Sequence, residues 1–311
     1  MPLRGLGLLL VMALWGCEAP LVVEHVQNER SKAVRRSDSF QAIARNDNTI
    51  VAVGGMGTIV VSDNAGQSWQ RVILTGKPDI VGVDACPDQT FVALGYDRNL
   101  WLGDAQGSNW KARPLDSDET PQALVCDQEG RVWVGADFST LMRSDDRGGS
   151  WRRLTMDEDI HITVVAFPDN KTGFALGEFG TVLHSSDGGE SWDFMNPLPD
   201  EFYVQDAYFK NSEDGWVVGL NGTVYRTADA GQSWQKEETG TETPLYGVTA
   251  FDNGLVAVGE NGLVIRRNDG VWTRIHHDQP IRSYLRGVEN VDGKLIMVAG
   301  DRGTLTTIAI H

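Results

Sequence analysis

Short apolar runs, each closed by a glycine, recur seven times along the chain. The glycines are Gly54, Gly95, Gly135, Gly177, Gly219, Gly259 and Gly300, separated by 41, 40, 42, 42, 40 and 41 residues. Each unit parses into four strands. In the fifth these are Tyr203 to Tyr208, Gly215 to Gly219, Gly222 to Thr227 and Ser233 to Lys236. Apolar and β-branched residues alternate or run together in the pieces, and Gly, Asp and Asn fill the gaps. A period near 41 with four strands per unit predicts an all-β fold: a seven-bladed β-propeller of four-stranded antiparallel blades over residues 38–311. One such unit cannot bury both faces, whereas stacking around an axis buries them against neighbours. The last unit ends after Gly303 to Ile310 without a fourth strand. A segment within 21–34, with Leu21-Val22-Val23-Glu24-His25-Val26 as its apolar part, is expected to fill that place. Joining both ends in one blade would remove an exposed sheet edge.

Two turn signals repeat inside the units. Gly-x-x-Gly joins the second and third strands at Gly54/Gly57, Gly177/Gly180, Gly219/Gly222, Gly259/Gly262 and Gly300/Gly303; Arg98 and Phe138-Ser139 interrupt it in units two and three. The second signal is Ser/Thr-x-Asp-x-Gly-x-Ser/Thr-Trp. Ser144 to Trp151, Ser185 to Trp192 and Thr227 to Trp234 fit it in full, and Ser62 to Trp69 carries Asn64 in place of the acid. Gly103 to Trp110 and Asn268 to Trp272 are decayed copies. A short carboxylate here can accept turn N–H groups while the indole packs between sheets. Asn64, Asp146, Asp187 and Asp229 are therefore expected to be structural, and Trp69, Trp110, Trp151, Trp192, Trp234 and Trp272 to belong to the core. Each motif offers one carboxylate, against the six to eight oxygens calcium prefers, so no calcium and no other metal or cofactor is expected.

This second signal is the Asp-box of bacterial-neuraminidase-type repeats. Joined to the preceding Gly-x-x-Gly-Thr-Val, as in Gly177 to Trp192 and Gly219 to Trp234, the chain resembles the photosystem II assembly and stability factor family of plants and cyanobacteria, with its relatives outside photosynthesis. The resemblance covers essentially the whole chain after the leader. It implies a propeller that binds membrane-protein intermediates and performs no chemistry. In that family an arginine patch marks the partner face. Here Arg98, Arg282, Arg286 and Arg302 are the nearest candidates, lying among many acids.

The N-terminus changes the picture of where the chain works. Arg4 followed by an apolar stretch from Gly5 to Leu14 suits a secretory leader over residues 1–16 and is too short to span a bilayer. Leu14-Trp15-Gly16-Cys17 resembles a lipobox, so Cys17 is expected to be lipidated and residues 17–37 to form an anchored segment carrying the closing strand. Glu18 after the cysteine, in place of Asp, favours the periplasmic side of the outer membrane. Loss of Arg4 with the leader takes the formal charge from −16 to −17, which excludes a nucleic-acid partner. Cys86 and Cys126 each precede their unit's glycine by nine residues. Equivalent side chains on neighbouring blades are expected to point the same way, which favours two buried thiols over a bridge.

Function is sought where the repeats differ. Loops between strands two and three, and between blades, open on one face. There Tyr96, Phe138, Phe179, Arg98, Arg282, Tyr284, Arg286 and Arg302 are candidates for binding a protein partner. Large apolar residues such as Phe138, Phe179 and Tyr96 in a turn otherwise favouring Gly, Asn and Asp need a reason. His276 and His277 are adjacent in sequence and point apart, which disfavours a shared metal. The rival reading is a sialidase-like or other Asp-box glycosidase, with Tyr284, Arg282 and Arg286 imagined in catalytic roles.

Overall fold

The structure, a computed structural model, describes residues 24–156, 158–252, 254–277 and 280–310. Residues 33–311 make one compact unit, and its repeats fold as seven separate antiparallel sheets, one blade each. In blade 5 the strands are Val204–Phe209, Gly215–Gly219, Val224–Thr227 and Gln235–Glu237, within two residues of the pattern-based assignment. The first strands pack on one another round the axis, from Phe40–Arg45 on Ile80–Ala85 to Leu285–Asn290 back on Phe40–Arg45. Second strands are apolar throughout and buried. With residues of the flanking strands they supply the seams between blades, as where Ile43, Ala52 and Val60 of blade 1 meet Met297 and Ala299 of blade 7.

The recurring glycine has a reason the periodicity alone does not show. Its backbone is extended at Gly177, Gly219 and Gly259, a conformation open to any residue. What forbids a side chain is the linker entering the blade. A Cβ would lie 2.1 Å from Ser39 O at Gly54, 2.2 Å from His161 O at Gly177, 1.9 Å from Pro244 O at Gly259 and 2.0 Å from Tyr284 O at Gly300. Those same carbonyls accept the next residue's N–H, as in Gly55 to Ser39 at 3.2 Å and Glu260 to Pro244 at 3.0 Å. The second glycine of each turn is the one that needs a left-handed φ, for example +73° at Gly180. Its N–H holds the following linker: Gly57 donates to Pro78 O at 2.6 Å and Gly262 to Ser283 O at 2.8 Å.

Ring closure departs from expectation. Gly303 donates to Asp38 O at 2.7 Å, so residues before blade 1 dock on blade 7 as an ordinary linker would. Arg71 anchors the same stretch through Ala33 O at 2.7 Å and an ion pair with Asp38. The expected closing strand is not seen. Glu24–Ser31 is an α-helix, and Leu21 to Val23 lie outside the described residues. Gln27 to Arg30 contains no apolar residue to alternate, and Lys32 pairs with Glu29 at 2.7 Å, a helical spacing. Among the described residues blade 7 is three-stranded. Its third strand, Leu305–Ala309, is correspondingly less covered than Thr58–Ser62 of blade 1.

The cysteines are also a correction. Cys86 and Cys126 form a disulfide, with α-carbons 5.2 Å apart. Inner strands converge at the axis, so equivalent positions on neighbouring blades come within bridging distance there. Asp84 reinforces the junction: one oxygen accepts from Ala85 N and the other from Cys126 N, both at 2.8 Å.

The Asp-boxes behave as structural turns. Asp146 accepts from Ser150 N and Oγ at 2.8 Å each and from Ser144 Oγ at 2.9 Å. Asp187 and Asp229 repeat the pattern, and Asn64 accepts from Ser68 N at 2.9 Å. The decayed copy keeps the chemistry through Asp104, which accepts from Ser108 N at 2.8 Å. Hydrogen bonds from Ser191 hold Asp187 at a pKa of about 2. Trp234 and Trp272 are buried. Trp69, Trp110, Trp151 and Trp192 are half-buried against the seams.

Three carboxyls on inner strands go the other way. Burial raises Asp84 and Asp206 to about 6 and Glu289, which also feels Asp84, to about 7. A carboxyl whose folded pKa lies above its unfolded value loses stability as pH rises between the two. For these groups that window runs from about 4 to 7. Two predictions follow from this architecture. Replacing Cys86 and Cys126 with Ala should lower stability by about 3 kcal/mol, read as the urea midpoint with and without reductant; equal midpoints would mean the bridge is idle. Glu289→Gln should raise the melting temperature at pH 8 by roughly 2 °C and leave it unchanged near pH 4, where the carboxyl is protonated in the folded and unfolded chain alike.

Candidate functional site

The inner strands present one residue each, in the same repeat column, to the mouth of the axial channel. The column reads Gln41, Val81, Gln122, Thr163, Gln205, Tyr246 and Arg286. Two residues deeper on each strand the wall turns apolar, with Ile43, Val83, Leu124, Val165, Ala207 and Val288. Together they bound a cavity of about 310 Å³, with Tyr96 and Tyr203 at its rim. Arg286 crosses the mouth. Its Nη1 donates to Gln41 Oε1 at 2.9 Å and its Nη2 to Gln205 Oε1 at 3.3 Å. Its guanidinium lies 5.9 Å from the Tyr246 ring centre. Tyr246 packs edge-on against Tyr284 at 6.3 Å, and the Tyr284 hydroxyl bonds Ser39 Oγ at 2.7 Å. Burial and Glu260, which accepts from the Tyr246 hydroxyl at 3.1 Å, push the Tyr246 pKa up.

Around the mouth, the turns between second and third strands carry the apolar candidates. Tyr96, Phe138 and Phe179 are 50, 53 and 60% exposed. Phe138 and Phe179 have φ of +55°, shared with Asn221 and Asn261 at the matching place in blades 5 and 6. Asn tolerates that conformation; a bulky side chain pays on the order of 1 kcal/mol for it. His161 lies between these two turns. Its Nε2 is 3.4 Å from Asp137 and its Nδ1 3.7 Å from Glu178, the residues preceding the two phenylalanines.

The structure thus gathers Tyr96, Tyr284 and Arg286 at the mouth and sets Phe138 and Phe179 on the same face. It does not gather the other arginines there. Arg98 faces Asp118, donating to its carbonyl at 3.0 Å, in a groove with Arg153. Arg282 and Arg302 line a separate groove beside the outer strand of blade 7. A three-arginine grip round Tyr284, as a sialidase would need, is not formed among the described residues. Sequence reasoning missed Gln41, Gln122, Thr163 and Gln205. The spacing of 40 to 42 residues between successive members of the full column was the available signal, but channel-facing polarity shows only once the strand faces are known.

The family described as photosynthesis system II assembly factor YCF48 matches residues 194–274. Among solved structures, "YCF48 bound to D1 peptide" aligns with TM-score 0.73 at 14% identity over 88% of this chain and 93% of that one. YCF48 from Cyanidioschyzon merolae aligns at 0.70 and 14%, covering 88% and 96%. The chain is similar to these proteins in fold, and its sequence matches the family's repeat over residues 194–274. Virginiamycin B lyase from Staphylococcus aureus, an enzyme, shares the fold at TM-score 0.78 and 12% identity, over 89% of this chain and 96% of that one. No curated protein matches the chain. The YCF48-type match begins after the turns that hold Tyr96, Phe138 and Phe179, so those side chains are features of this chain outside the matched stretch.

The left-handed turn gives a sharp test of this rim. Phe179→Asn should stabilise the fold by about 1 kcal/mol, because strain is relieved and little burial is lost. The denaturant midpoint reads it, and a drop instead would place Phe179 in the core.

Proposed function

We propose that the chain is a non-catalytic propeller, exported and lipid-anchored through Cys17, that binds a protein partner and serves as an assembly or stability factor for a membrane complex. The observation that carries this reading is the retention of Phe138 and Phe179, exposed, in turns whose backbone favours Asn. Local strain without local benefit points to a benefit outside the chain, and exposed aromatics beside an arginine are the usual anchors of protein interfaces. The solved YCF48 structure with a D1 peptide supports a protein as the ligand. The Cys86–Cys126 bridge supports an oxidising, exported compartment. The carboxylates of the Asp-boxes are spent on turn amides, which supports the absence of chemistry there.

Capture from detergent-solubilised host membranes, using tagged full-length chain expressed in its host, tests the proposal. The tagged chain should be found in the membrane fraction and should recover a membrane complex. The Tyr96→Ala/Phe138→Ala/Phe179→Ala variant should recover it at least tenfold less, on the order of 1.4 kcal/mol or more of binding, with an unchanged melting temperature. A tagged chain that stays soluble would sink the anchor, and equal capture by the variant would sink the face.

A further inference from the structure

We propose that the mouth of the axial channel is a carboxylate-binding site centred on Arg286. The inference rests on reading this face as the one that meets the partner, and it names the chemistry recognised there. The more buried arginines of this chain are matched with acids: Arg71 with Asp38, Arg131 with Asp127, Arg143 with Glu190 and Arg267 with Glu237. Arg286 is held differently. Both of its hydrogen-bond partners, Gln41 and Gln205, are neutral amide oxygens on opposite sides of the mouth. They fix the guanidinium plane without ion-pairing it, although Asp206 in the cavity wall feels its charge.

The acid in the cavity wall does not supply the missing counter-charge by contact. Asp206 spends one oxygen on Ala207 N and the other on Val248 N, each at 2.8 Å, which ties blade 5 to blade 6. No acid lies within ion-pair distance of Arg286 among the described residues. A guanidinium offers five N–H donors in a planar fork, and the two glutamines occupy two. The remaining donors match a carboxylate, the planar anion that such a fork binds in paired fashion. The cavity of about 310 Å³ is open to solvent at the mouth and apolar below. It therefore suits a carboxylate on a short aliphatic stem, and Arg286 is the one cationic side chain among the described residues that line it, in a chain whose formal charge is −16. Such a group could arrive as a free dicarboxylic acid or as a carboxylate of the partner.

Glutarate and the peptide pair acetyl-Gly-Gly-Glu-amide and acetyl-Gly-Gly-Gln-amide separate these sources. Saturation-transfer NMR and calorimetry on the full chain should show binding of a carboxylate probe at about 10 mM or below, with the Gln peptide at least tenfold weaker than the Glu peptide. Glutarate binding alone assigns the site to a free dicarboxylate; Glu-peptide binding assigns it to a partner's acid. Arg286→Gln should lose the binding at least tenfold. Gln41→Glu, which places a carboxylate against Arg286 from within, should lose it equally while keeping the arginine, with melting temperatures confirming both folds. Absence of binding by either carboxylate probe, or unchanged affinity in both variants, would overturn the proposal. If membrane capture still depends on Phe138 and Phe179 in that event, the partner face stands and only the carboxylate site falls.

Discussion

The contact that organises this protein is a backbone carbonyl pressed against a glycine. In blades 1, 4, 5, 6 and 7 the incoming linker sets its last carbonyl where the side chain of the second strand's closing residue would be, at 2.1 Å for Ser39 on Gly54 and 1.9 Å for Pro244 on Gly259. The contact shifts the register of the inner strand by one residue at its start, as between Phe40 and Ala42 or Leu245 and Gly247. That irregularity re-aims the first inner-strand side chain toward the axis. The channel column of Gln41, Gln205, Tyr246 and Arg286 is thus a consequence of the same contact that spaces the blades. A larger residue at these glycines would push out the linker, and with it the wall of the channel mouth.

Polar groups divide by location. On the Asp-box side, carboxylates accept turn N–H groups, and hydrogen bonding stabilises their charged form. On the inner strands, Asp84 and Asp206 span neighbouring blades through amides of Cys126 and Val248, where burial opposes ionisation. One set closes turns and the other stitches wedges together.

The seam between the first and last blades is held by linker docking and side-chain packing. Asp38 on Gly303, Arg71 on Ala33 and Asp38, and Ile43 beside Gly287 do what a shared sheet would otherwise do. The apolar pattern of Leu21 to Val26 pointed to a strand, but the polar Gln27 to Arg30 that follows satisfies its backbone as helix. Apolar runs of three residues specify burial, not the hydrogen-bond partner that burial brings.

The sequence by itself determined the blade count and, to within two residues, the strands of the fifth blade, because a period near 41 and a fixed turn motif are local signals repeated often enough to read. It also marked Tyr96, Phe138, Phe179 and Arg286 as departures from the repeat. The tertiary structure alone decided what those departures face. Cys86 meets Cys126 because inner strands converge, Arg286 meets Gln41 and Gln205 because residues 245 and 81 positions away share one axis, and Arg282 and Arg302 turn aside to another groove. Such meetings depend on the radius and closure of the ring, which are set by packing between repeats and so are written in no single one of them.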